Sequence, residues 1–123
     1  MREGKHLIMT GKIVLGEHLG YPYIECDIEN GIKIIERLSQ KLGFESEDMR
    51  DAIRILNNYN EFYSYAKRKG KEFIVPSKRE SDFIRGRVVI DKIKPLDTRN
   101  IMIIFERRID KRLLEEIIKE LEK

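Results

Sequence analysis

One cysteine, two histidines and no tryptophan leave this chain poor in the side chains on which much protein chemistry depends. The lone thiol, Cys26, rules out a disulfide within the chain, and a small protein without such a staple fits a reducing compartment, so a cytoplasmic location is expected. A closed zinc site takes about four thiolate or imidazole ligands. Cys26, His6 and His18 are all that the sequence offers, so no closed metal site of this kind is expected within one chain. No segment approaches the roughly 20 apolar residues that span a bilayer, and the charged start MREGKHLIMTGKIVLG lacks the apolar run of a signal peptide. No membrane role is indicated.

Motif absences narrow the chemistry further. Gly11-Lys12 is followed by Ile13, where a phosphate-cradling loop would need Ser or Thr. The glycine fingerprint of dinucleotide sites and the Gly-x-Ser-x-Gly elbow of esterases are both missing, and no cofactor can be named. Among nucleic-acid motifs, Lys69-Gly70-Lys71-Glu72-Phe73 begins like an RNA-recognition consensus but lacks the aromatic residue after glycine, and there is no Gly-x-x-Gly clamp.

What is present is enough apolar material for a core and an unusually charged surface. Hydrophobic residues make up 41% and charged residues 38% of 123 positions, a length that suits a single domain over 1–123. Nineteen isoleucines against two alanines, with abundant Lys, Arg and Glu and a single Gln, match the bias reported for heat-stable proteins. No repeat and no low-complexity stretch interrupts the chain.

Hydrophobic spacing predicts the elements. His6 to Leu15 reads as a strand bent at Gly11. After the loop Gly16 to Pro22, Tyr23, Glu25 and Asp27 alternate with Ile24, Cys26 and Ile28, as in a strand with one buried face. Ile28, Ile32, Ile35, Leu38 and Leu42 then recur at helical spacing up to a glycine terminator, Gly43. A second helix is expected from Ser46, its hydroxyl capping the free amides, to Lys69 and Gly70, with the Asn57, Asn58, Asn60 cluster as the place where it would break. Phe73 to Val75, Phe83 to Ile93 and Ile101 to Phe105 read as strands, the last mid-sheet, and a helix from Asp110 closes the chain. The expected fold is α+β: a mainly antiparallel sheet of about five strands, in the order β-β-α-α-β-β-β-α, with helices on one face.

Three groups of residues are candidates for function. Glu25 and Asp27 share a strand face at a spacing of about 7 Å, which would suit a hard divalent cation or, with His18 folded over them, acid and base roles, although a wet strand face needs polar residues in any case. Cys26 faces the apolar side and reads as a small core residue. Tyr59, Tyr63 and Tyr65, with the neighbouring asparagines, could stack on a ligand or anchor a homodimer through Tyr59 and Tyr63, but Tyr59 and Tyr63 also continue the apolar stripe of their helix.

The third group is electrostatic. Eight basic residues face three acidic ones between 67 and 87, while the whole chain carries a net charge of only +3. Lys67, Arg68 and Lys69 suit a helix C-terminus irrespective of any partner. That leaves Lys78, Arg79, Arg85 and Arg87, the last two on one face of the expected strand, as candidate contacts for the phosphates of nucleic acid or another polyanion, with Phe73 and Phe83 as stacking surfaces. The sequence therefore points to a small nucleic-acid-associated binding protein without sequence reading. The alternatives are a small-molecule-binding protein or enzyme around His18, Glu25 and Asp27, and a homo-oligomeric interaction protein without catalysis.

Overall fold

The computed structural model describes residues 8–10 and 13–122, the first three by their backbone alone. Segments rich in bulky and β-branched residues form β1 (Ile8–Thr10), β2 (Ile13–His18), β3 (Tyr21–Asp27), β4 (Ile90–Pro95) and β5 (Asn100–Phe105). They make one antiparallel sheet in the spatial order β1-β2-β3-β5-β4. Segments of helical spacing form α1 (Ile28–Leu42), α2 (Glu47–Asn57), α3 (Tyr59–Lys69), α4 (Glu80–Ile84) and α5 (Lys111–Leu121).

The core lies between one face of the sheet and the helices. Leu15, Ile24, Ile93, Ile101, Ile103 and Phe105 from the strands meet Ile34, Ile35 and Leu38 of α1, Met49 and Ile55 of α2, and Leu114, Ile117 and Ile118 of α5. Each such side chain, when fully buried, contributes about 1.5–3 kcal/mol against chain entropy. Packing is tight at Gly31 on α1, where a Cβ would stand 3.0 Å from Ile101 Cδ1. The fold is α+β, with helices layered on an antiparallel sheet. Among the described residues no helix is long and apolar enough to cross a membrane.

Several local expectations hold. Gly43 (φ 82°) ends α1 in the left-handed region as expected, while Asp27, expected on a strand face, caps that helix by accepting a hydrogen bond from the Asn30 amide at 2.8 Å. Gly70 (φ 65°) closes α3 in the same way. Cys26 is buried in the core, where desolvation and then the neighbouring Asp27 charge push its thiol up to about 12, far from nucleophilic range.

The element order differs from the expected one and runs β-β-β-α-α-α-α-β-β-α. The first predicted strand is two, β1 and β2, paired as a hairpin. The expected bend at Gly11, and His6 with it, lies outside the described residues. The long second helix breaks at Asn58, whose side-chain amide donates to the Arg54 carbonyl at 2.9 Å and competes with the helical ladder. Ser46 stands at the start of α2, but its Oγ is buried without a partner. Asp82 of α4 does the capping instead, accepting from the Glu47 amide at 2.9 Å.

The segments from 73 to 89 depart furthest from the expected strands. Phe73 to Val75 contributes one bridge, Ile74 to Ile93, on the outer edge of β4, and Pro76, without an N–H, cannot prolong it. The expected strand from Phe83 to Ile93 begins only at Ile90. Its first part is the short helix α4, and the turn after it passes through Gly86 at φ 69°, a conformation no strand tolerates. Arg85 and Arg87 therefore do not share a strand face. Asp48, at the start of α2, fastens the entry to β4 by accepting from the Val89 and Ile90 amides at 2.8 and 2.6 Å.

Candidate nucleic-acid interface

The side chains that alternate away from the core lie on the sheet face opposite the helices. Pairing register sets them in two rows, Gly16, Tyr23, Ile104 and Lys92, then Val14, Glu25, Met102 and Lys94. None of them joins the core cluster. The Tyr23 ring lies across the backbone of Gly16, and a Cβ there would fall 2.5 Å from the tyrosine Oη. Glycine thus lets an aromatic side chain lie flat on the sheet.

Tyr23, Met102 and Ile104 form the floor of a groove of about 470 Å³, within the range of about 300–1,000 Å³ common for ligand sites. Phe73, brought alongside by the bridge between Ile74 and Ile93, makes one wall. The hairpin turn between β2 and β3 makes the end, with Tyr21 and Leu19. Leu19 has φ 55° and is 75% exposed. Positive φ at both central residues matches the twist of a two-residue hairpin, yet it costs a leucine about 1–2 kcal/mol.

Each accessible ring has a cation above it. Lys92 Nζ is 4.2 Å from the centre of Phe73, and Arg107 Cζ is 4.7 Å from the centre of Tyr21. Lys94 Nζ lies 3.5 Å from Glu72, its acidic counterpart on the rim. Asp91 and Glu106 add negative charge near the Lys92 end. Burial first, and the Asp91 charge second, hold the Glu106 carboxyl above its ordinary range, against the pull of Lys78 and Arg108. The site therefore offers flat aromatic surface with cations beside it.

The four basic residues singled out in the sequence fall into two pairs. Lys78 Nζ donates to the Asp91 and Pro76 carbonyls at 2.9 and 3.4 Å and is engaged internally, whereas Arg79, more than half exposed, makes a surface pair with Glu47 at 3.2 Å. Arg85 and Arg87 flank the Gly86 turn, exposed, with Arg87 resting 5.2 Å from the Phe44 ring centre. Neither has an ion pair among the described residues. Arg108 reaches the same turn, its Nη1 3.1 Å from where a Cβ on Gly86 would stand.

His18, Glu25 and Asp27 are not gathered. Asp27 is occupied as the α1 cap, and Glu25 is opposite Val14 and Met102, whereas His18 pairs with Tyr21 at the far end of the hairpin, four residues or about 13 Å of strand from Glu25. Among the described residues no group of three or more metal-ligating side chains is assembled. Tyr59 is buried, with its hydroxyl donating to the Asp97 carbonyl at 2.7 Å, so it cannot anchor a dimer.

Sequence reasoning missed Lys92, Lys94, Arg107 and Arg108. The first two did carry a signal, since they alternate with Ile93 on a strand. The arginines follow β5 and join the groove only through the fold. No family model, curated protein or solved structure matches the chain.

Proposed function

We propose that this protein binds single-stranded nucleic acid on the exposed sheet face, without sequence reading. One observation carries the proposal: two accessible rings, Tyr21 and Phe73, border a groove on an antiparallel sheet and each lies against a cation, Arg107 or Lys92. Bases stack on aromatic rings and on guanidinium planes alike, at about 1–3 kcal/mol per base, whatever their identity. Lys92, Lys94 and Arg107 supply the charge for the intervening phosphates. Duplex nucleic acid fits poorly, because its bases are already stacked and cannot reach Tyr21 or Phe73.

The test is fluorescence anisotropy with a labelled, mixed-sequence single strand, titrated at several salt concentrations. With three phosphates neutralised, log affinity should fall with log salt at a slope of about −2, from about 0.7 per contact. Tyr21→Ala together with Phe73→Ala should weaken binding at least tenfold, the loss of roughly one stacked base. Glu72→Gln should strengthen it by freeing Lys94. If the strand does not bind at low salt, or if the aromatic variants bind as well as the parent protein, the proposal fails.

A further inference from the structure

Arg107 and Arg108 are consecutive, yet their side chains reach different turns. Arg107 lies along Gly20 and over Tyr21, with Nε 3.5 Å from the position of a Cβ on Gly20. Arg108 lies against Gly86, in the turn that carries Arg85 and Arg87. The turn after β5 thus forms a bridge from the groove to a second basic cluster.

That cluster holds no close ion pair. Arg37, Arg50, Arg54 and Arg79 each have a carboxylate within 4.0 Å, whereas among the described residues Arg85 has no such pair, Arg87 rests on the Phe44 ring, and Arg108 acts on the Glu106 carboxyl without closing on it. Phe83 of α4, 57% accessible, precedes Arg85 and Arg87 in the same turn, its carbonyl accepting from the Gly86 amide at 3.1 Å. The turn therefore carries an exposed aromatic ring and exposed arginines within five residues.

We infer that a bound single strand leaves the sheet face over Arg107 and continues to a second subsite, where Arg108, Arg85 and Arg87 hold phosphates and Phe83 receives a base. This rests on the proposal that the sheet face binds single strands. It adds that the footprint extends past the groove, and it gives Arg85 and Arg87 a role separate from that of Lys78 and Arg79. Arginine suits the task, since its fork matches phosphate oxygens and its plane stacks on bases.

The experiment compares a trinucleotide with a decanucleotide on the full chain and on two variants, Arg85→Ala/Arg87→Ala and Phe83→Ala. All three positions are exposed, and circular dichroism confirms that each variant is folded. The parent protein should bind the longer strand at least tenfold more tightly and with a steeper salt slope. The arginine variant should lose about 0.7 of slope per residue removed, on the decanucleotide alone. Its affinity for the trinucleotide should equal the parent's.

Equal affinity of the parent protein for both lengths, with the arginine variant changing neither, would overturn the second subsite and leave the sheet-face reading intact. Equal weakening of both lengths in the arginine variant would overturn it as well, by showing one undivided site. If neither oligonucleotide binds the parent protein, the sheet-face reading itself falls and takes this inference with it.

Discussion

The two faces of the sheet are built from the same strands and differ in what each asks of its residues. On the packed face Ile24, Ile101, Ile103 and Phe105 have no accessible surface, and their value lies in volume. On the opposite face Tyr23, Glu25, Met102, Ile104, Lys92 and Lys94 alternate with them, and what matters there is chemical character. A change of shape on the first face should cost stability, whereas on the second it should cost recognition.

The largest effect that would break this contrast is a truncation on each face of β5. Phe105→Ala should lower unfolding free energy by about 3–5 kcal/mol through the cavity it leaves. Ile104→Ala, one position away, is half-buried at the groove floor and should cost less than half as much in urea denaturation. Comparable losses at the two positions would mean that the outer face is a second core.

A smaller effect should sharpen the contrast at Gly16. A methyl group there collides with Tyr23, so Gly16→Ala should displace the ring, cost about 1–3 kcal/mol and change the groove. Oligonucleotide affinity should fall with it. Unchanged affinity would show that the flat tyrosine has no part in binding.

The smallest effect is set by pH. The folded protein holds the Glu106 carboxyl above its ordinary value, so the neutral form is the one that the fold favours. Its contribution to stability is therefore complete below the unfolded value of about 4.3 and declines as pH rises through the folded value. Glu106→Gln, which stays neutral, should raise the melting temperature at pH 7 and leave it unchanged near pH 4. A variant no more stable than the parent at pH 7 would contradict the burial and the Asp91 repulsion described above.

Much of this fold was legible because it depends on short-range rules. Spacing placed α1 and α5, Gly43 and Gly70 ended their helices, and the asparagine cluster marked the interruption at Asn58. The region from 73 to 89 differs because Phe83, Arg85 and Arg87 alternate in sequence as a strand would, yet the chain there forms α4 and the Gly86 turn. There the deciding interactions are distant: Asp82 with the Glu47 amide, and Asp48 with the amides of Val89 and Ile90. A carboxylate that caps another helix leaves no trace in local spacing.

The candidate site divides along the same line. The sequence by itself determined the alternation of strands, the excess of positive charge and the core position of Cys26, since each follows from residue type and period. Only the tertiary structure decided which charges are available. Lys78 is taken up by carbonyls and Arg79 pairs with Glu47 away from the groove, while Lys92, Lys94, Arg107 and Arg108 reach the groove and the Gly86 turn from β4 and the end of β5. Proximity across a sheet depends on register and on chain reversal, and these are settled by the packing of the whole chain.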